Sequence, residues 1–556
     1  MTRSCHRVGR AVPVVLLSVL LAGCGVAGKR PARGSHAGAY GLGSLHHPVT
    51  TTSPAAQVAF DRGLTLSYAF SHRAAEEEFR KAIATDPSCA MAWWGVALVN
   101  GPHINFPMVP PENAKTAWDA LAHARALEPR VSEPERAYIE ALAHRYAMPQ
   151  PEDRGPLDAA YASAMREVWR AHPDDPDAGA LCAEALMDLH PWDLWRTDGT
   201  PQPWEPEIQS TLEQVMRLDP RHAGANHFYI HVMEASPHPE KALASANLLR
   251  DLVPGAGHLV HMPAHIYSRV GQWSVASEAN REAIVVDSVY RAAHPHPGLY
   301  AMYMAHNRHF LAYADMMQGD SAEALAAARE MVQGVPPDFV RDFAPVVDGY
   351  MIFVSEALMR FGRWQEVLAE PEPPANLPLS RALWHYTRAA SYNALGRARE
   401  ADAERAAFQV AAAKVPKEWT FGNNPASAIL AIAAHVLDGE IDSRRGRSET
   451  AVRELRAAVK IEDGLRYNEP PDWMQPSRHT LGAVLLNAGR YPEAEAVYRE
   501  DLARWPENGW SLYGLSRALR LEKKDAEAAP VEARFRRVWA KSEIKLGSTC
   551  LCQPGV

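Results

Sequence analysis

Four positions recur through this chain at a fixed spacing, and that spacing limits what the chain can become. Near the start of its body stand Gly63, Ala75, Phe79 and Pro87, separated by 12, 4 and 8 residues. Near the far end stand Gly482, Ala494, Tyr498 and Pro506, separated by the same 12, 4 and 8. A proline cannot continue a helix, so each copy of the spacing marks a segment that closes at its proline. The 43 prolines and 34 glycines that punctuate a chain otherwise rich in Ala, Leu, Glu and Arg agree with many short helices.

The same ruler finds Ile230, Ala242, Ala246 and Pro254 in the centre, and later Ala312, Ala324, Ala328 and Pro336. Between them Ala264, Ala276 and Asn280 fit, with Ser288 in the place of proline. Stretches such as 114–146, 157–169 and 381–415 are helical in pattern but follow the ruler less closely. The spacing resembles the tetratricopeptide repeat, a pair of antiparallel helices about 34 residues long. That resemblance implies an all-α fold, a superhelical solenoid of hairpins over about residues 56–540, in which one face of each first helix lines a concave groove. A short tail, 541–556, would follow it.

Ahead of the repeats, Arg3, Arg7 and Arg10 precede an apolar run from Ala11 to Leu21 that ends in Leu21-Ala22-Gly23-Cys24. The run is too short to span a bilayer as a mature helix. Leu-Ala-Gly-Cys resembles a bacterial lipobox, which implies a lipoprotein signal peptide over residues 1–24, lipidation of Cys24, and a mature protein held to a membrane of the cell envelope, facing the periplasm or the exterior. A plain secretory signal is the alternative. Residues 25–55, rich in Gly, Ser, Thr and Pro, read as a flexible tether. Beyond Cys24 only Cys89, Cys182, Cys550 and Cys552 remain, too few and scattered for a disulfide framework, and Cys550-Leu-Cys552 reads as part of a disordered tail. A net charge of -8 over 556 residues provides no basic field, so nucleic acid is not an expected partner.

The chemistry concentrates between His222 and His309. Eleven of the 24 histidines fall there, in 88 residues where an even spread would place about four. Aligned on the repeat, His227, His261 and His309 lie three residues before the small-residue position. His231, His265 and Tyr313 lie one residue after it, and Gly224, His258 and His306 lie six before it. Positions i, i+3 and i+7 fall within about 60° of arc on a helix, so each row occupies one face and the seven histidines share one groove. Glu234 lies on the same stripe and is an oxygen ligand or a base; Tyr313 is a second catalytic candidate. Neutral imidazole is the commonest protein ligand for zinc, copper and iron. Seven such rings with a carboxylate suit one or two transition-metal ions, copper or iron by preference and zinc as the other choice. Pro263 interrupts the middle segment and predicts a kink or a helix start there. His222, His238, His294 and His296 flank prolines or loops and read as surface residues, the last two within an insertion from Arg291 to Met304.

Three further segments depart from ordinary repeat filler: 100–107 with His103 and Asn105, 190–195 with Trp192, and 467–473 with Glu469. Each reads either as a wall of the site or as a turn buried by tryptophan. The segment 190–195, together with the histidine segments 224–231 and 254–267, resembles a His-rich group of bacterial tetratricopeptide lipoproteins, a likeness that implies the fold and no activity. The leading functional expectation is a metal-dependent oxidoreductase acting on a small molecule. The alternatives are a scaffold binding a partner peptide in the envelope, a metal-sequestration protein, and a zinc-type hydrolase. No Gly-x-Ser-x-Gly, Walker loop or dinucleotide fingerprint competes with them.

Overall fold

The computed structural model describes residues 41–555. Leu21-Ala22-Gly23-Cys24 and the first part of the tether lie outside the described residues. Helical hairpins follow one another from Pro54 to Val538, beginning with Pro54–Ser67 against His72–Thr85 and ending with Gly509–Leu521 against Asp525–Val538. Among the described residues the only strands are a two-residue antiparallel pair, Thr420–Phe421 with Asn424–Pro425. No helix among them is long and apolar enough to cross a membrane.

The 12-4-8 spacing has a visible cause. A Cβ placed on Gly63 or on Gly95 would strike the ring of Phe79, and one placed on Gly482 or Gly514 would strike the ring of Tyr498. Each aromatic side chain of a second helix therefore nests between two glycines, one on its own first helix and one on the next. Phe79 and Tyr498 are fully buried there, and any side chain in the glycine slots would force the helices apart.

The array curls until distant hairpins touch. Trp273 Nε1 donates to Pro506 O at 2.8 Å, Trp510 Nε1 to Met316 O at 2.8 Å, and Arg73 Nη1 to His296 O at 2.7 Å. The expected open groove is therefore closed in the centre, and the histidines that were to line it are interior.

Both expected flexible ends are corrected where they are described. Residues 41–53 form a strap on the body: Leu42, Leu45 and Val49 pack on the core, and Thr50 N donates to Glu135 at 2.6 Å. His46 and His47 reach Asp61 and Asp177, both at 2.8 Å. The polar residues that suggested a tether instead find carboxylates on three different helices. The tail is likewise bound, with Thr549 Oγ1 donating to His479 O at 2.7 Å and Cys550 and Cys552 joined as a buried disulfide.

Candidate metal centre

Three consecutive first helices carry the histidines: Ala223–Glu234, the pair Gly257–His261 and Pro263–Arg269, and Tyr300–Gln318. The first is buried along its whole length, which explains why it can afford no charged residue except Glu234. Pro263 occupies the first position of its short helix, and the chain holds helical geometry through Met262, so the middle segment is one helical path with a break in its hydrogen bonding. His222 caps the first helix, its Nδ1 accepting from Ala225 N at 3.0 Å and its Nε2 lying 3.0 Å from Asp177. It is buried, contrary to the surface position expected of it. His294 is half-buried against Glu77 at 3.1 Å, while His238 and His296 are exposed as expected.

The rings converge as two triads: His227, His231 and His258, then His261, His265 and His306. Within each, one ligand nitrogen per ring lies within 4.8 Å of the others. The triads obey one rule. Each takes the residues three before and one after the small position of one helix, and the residue six before it on the next. In the first triad His227 Nε2 faces His258 Nε2 at 3.1 Å. In the second His265 Nε2 faces His261 Nε2 at 2.8 Å and His306 Nε2 at 3.5 Å. Nitrogens bound at about 2.0–2.1 Å to a tetrahedral ion stand roughly 3.3 Å apart, so these gaps are of ligand-to-ligand size.

The outward nitrogens fix which atoms face inward. His227 Nδ1 donates to Tyr68 O at 2.7 Å, and His231 Nδ1 to Glu234 Oε1 at 2.8 Å. His265 Nδ1 is 2.6 Å from the other Glu234 oxygen, so one carboxylate orients a ring of each triad. Asn280 Nδ2 donates to Ala276 O at 2.9 Å, which turns Oδ1 toward His261 Nδ1, 2.7 Å away, and makes that nitrogen the donor. A neutral His261 then presents a bare Nε2 to His265 Nε2. Two lone pairs at 2.8 Å repel unless a positive centre lies between them, either a proton or a metal ion. Protein groups on the far nitrogen of a histidine are the usual supports of a metal ligand.

Charge follows the same division. Burial holds His227, His258, His261 and His306 well below the ordinary imidazole range, with neighbouring rings adding to the effect, so all four are neutral. His231 is also lowered, burial outweighing Glu234. At His265 burial opposes the proton, but Glu234 outweighs it and the value rises. Burial alone would raise Glu234; His265 and then His231 bring it down to about 2. The interior thus sets one carboxylate against the one ring whose proton it favours, His265, with neutral donors around them.

All three segments that the sequence left undecided reach this site. A cavity of about 310 Å³ has His231, His258, His265, His306 and His309 on one side with Asn105, Trp192 and Glu469, and Phe339, Val347 and Tyr350 on another. Trp192 meets His231 edge-on at 5.4 Å, and Phe70 packs on His227 at 4.8 Å. Both hold positive φ, 59° and 51°, a strained backbone for residues of that size and one that clusters at functional sites. Glu469 accepts from Ser268 Oγ and Tyr467 OH and has an oxygen 4.0 Å from His265 Nδ1. Burial raises it to about 7, with His265 and Arg269 pulling the other way.

Two expected members stand apart. His309 belongs to neither triad; its Nε2 is buried without a partner, its ring meets Phe353 edge-on at 4.6 Å, and burial lowers it to about 3. Tyr313 is fully buried between Trp273 and Trp505, at 5.8 and 6.0 Å, and is not a residue of the cavity wall. The third helix has its next face against the C-terminal hairpins, so the position that holds a histidine in the first two helices becomes core in the third. Glu469, 204 residues beyond His265 in sequence, had no periodic signal to announce it.

No protein-family model matches the chain, and no curated sequence does either. Among solved structures the chain is similar to the human IFIT1 dimer with PPP-AAAA, at 14% identity over 86% of this chain and 90% of that one, with a TM-score of 0.32. It is similar also to the human IFIT1 dimer with m7Gppp-AAAA, at 14% identity, 88% and 91% coverage and a TM-score of 0.33. The APC/C hetero-tetramer Cut9–Hcn1 is similar at 12% identity, 88% and 74% coverage and a TM-score of 0.31.

Proposed function

We propose that this helical-repeat protein binds two transition-metal ions, one on each histidine triad, and is a metal-dependent oxidoreductase acting on a small molecule that enters the adjoining cavity. The observation that carries this reading is the bare Nε2 of His261 facing His265 Nε2 at 2.8 Å, with both outer nitrogens already committed. Such a pair takes either a proton or a metal ion between its nitrogens, and six buried imidazoles that converge three by three offer a metal a ready ligand set.

Copper or iron bound there would supply a redox couple and an open position for substrate; zinc would supply a Lewis acid and favour hydrolysis. The chain's own residues divide the remaining work. Glu234 holds one ring of each triad in place, Trp192 and Phe70 exclude water, and Tyr350 with Phe339 and Val347 gives the substrate an apolar bay. Glu469, near 7 and bonded to Ser268 and Tyr467, exchanges a proton with a bound molecule at neutral pH. In this reading the lipobox at Cys24 anchors the protein to a membrane of the bacterial envelope, and the partners are a small molecule and lipid.

A partner-binding scaffold is the second reading, favoured by the stacked-hairpin architecture itself. Elemental analysis of the chain purified without a histidine tag separates the two. Near-stoichiometric copper, iron or zinc, reduced by half or more in His261→Ala/His265→Ala with unchanged helical content, supports the metal reading. A chain that takes up none of the three after reconstitution leaves the scaffold.

A further inference from the structure

The C-terminal tail brings a second and chemically different set of donors together, none of them a member of the triads. Cys550, Cys552 and Glu440 place two sulfurs and a carboxylate oxygen within 4.8 Å of one another. All three residues are at most 3% exposed. Glu440 Oε1 is 3.8 Å from Cys550 Sγ, and Glu440 Oε2 is buried with no hydrogen-bond partner.

The two cysteines form a disulfide that encloses three residues. A cross-link stabilises a fold chiefly by restricting the unfolded chain, and the effect grows with the loop it closes. A three-residue loop restricts almost nothing, so cross-linking is no reason for this pair to be where it is. The surroundings suit the opened form. Cys552 N and Gln475 Nε2 both lie against Cys550 Sγ, at 3.3 and 3.5 Å, where they stabilise a thiolate. The tail is held by contacts that do not involve sulfur: Arg444 Nε donates to Cys552 O at 3.0 Å, Ser443 Oγ to Gln553 at 2.8 Å, and Thr549 bonds both His479 O and Tyr498 OH. Opening the disulfide therefore leaves both sulfurs beside Glu440.

We propose that Cys550, Cys552 and Glu440 form a redox-gated site for one thiophilic metal ion of the Cu(I) class, closed while the cysteines are a disulfide and open once they are thiols. A dithiol reductant, itself oxidised to a disulfide, gives two electrons and two protons that convert the Cys550–Cys552 disulfide into two thiols; the ion then takes both sulfurs, with the Glu440 carboxylate as the oxygen ligand, and the thiol and carboxyl protons pass to solvent. Soft thiolates select Cu(I) over the harder ions that imidazole and carboxylate accept. The site is independent of the histidine triads and stands or falls apart from them.

The test uses the full chain, oxidised and after treatment with a water-soluble phosphine, which reduces the disulfide and itself takes up oxygen from water as the phosphine oxide. After anaerobic removal of the phosphine, both forms are titrated with Cu(I) against a chromophoric chelator. The reduced chain is expected to bind one equivalent more than the oxidised chain, with a thiolate-to-copper absorption. That equivalent is absent from Cys550→Ser/Cys552→Ser, which retains Cys5, Cys24, Cys89 and Cys182 and so subtracts them. It persists in His261→Ala/His265→Ala, and in Glu440→Gln it binds about tenfold more weakly or worse. Equal copper uptake by the oxidised and reduced wild-type chains overturns the proposal without reference to any variant. So does an additional equivalent that survives in the double cysteine variant.

Discussion

Histidines serve the central hairpins and the C-terminal hairpins through the same local pairing, with opposite consequences. In the C-terminal half His385 meets Glu404 at 2.6 Å and His435 meets Glu454 at 2.9 Å, each pair joining the first helix of a hairpin to its second across 19 residues. In the centre His261 meets Asn280 at 2.7 Å, again across 19 residues. The outer pairs are half-exposed and use a carboxylate; the inner pair is buried and uses an amide. An amide satisfies the outward nitrogen without adding a charge, which leaves the ring neutral and its other nitrogen free to bind. His231 and His265 share the Glu234 carboxylate instead, so what separates the centre from the surface pairs is burial of the ring together with its partner.

The largest expected effect comes from removing the carboxylate that the two triads share. Glu234→Gln takes it from the Nδ1 nitrogens of His231 and His265 and costs about 3–5 kcal/mol in urea unfolding, with metal affinity falling about 10–100-fold. A loss no greater than that of a surface pair breaks the comparison. Asn280→Ala comes next. It strands the His261 donor in the core, costs about 1–3 kcal/mol, and weakens metal binding on the second triad while leaving the first loaded, as stoichiometry by elemental analysis checks.

His47 sharpens the comparison because it is half-buried, between the two groups, and has a carboxylate. Burial opposes its proton, but Asp177 lifts it to about 8, while His309, buried without a partner, falls to about 3. The folded value lies above the ordinary 6.5, so the contact's contribution, on the order of 2 kcal/mol, is complete below about pH 6.5 and fades as pH climbs through 8. NMR titration of the two imidazoles and hydrogen exchange of the strap between pH 6 and 9 follow it; a His47 that titrates like His309 makes burial alone decisive. The smallest effect belongs to Glu454→Ala, which changes stability by about 0.5 kcal/mol or less.

The sequence was legible where periodicity governs. The 12-4-8 spacing identified the hairpins because Phe79 and Tyr498 need glycine on both sides, a constraint written in the residues themselves. Of the seven histidines that the register named, six converge. It aligned them as columns across three helices, however, whereas successive helices are staggered, and the triads take His258 with His227 and His306 with His261. His309 and Tyr313 kept the pattern without the neighbour that would complete it. Glu469 and Trp192 were visible only as oddities, because the curl that brings 469 to 265 depends on the sum of many small rotations between hairpins. The strap was misread for a related reason: His46, His47, Thr50 and Thr51 are tether residues by composition and become anchors only when Asp61, Asp177, Glu135 and Asp86 are brought under them.

The contact of Trp273 with Pro506 also bears on how the molecule yields to force. Stacked hairpins joined only to their neighbours behave as a spring, which lengthens smoothly and frays from either end. Here the coil is latched to itself, at Trp273 and at Trp510, so pulling on the ends loads the latches before any single hairpin opens. Such an object resists like a clasped bracelet, rigid up to a threshold and then abruptly slack.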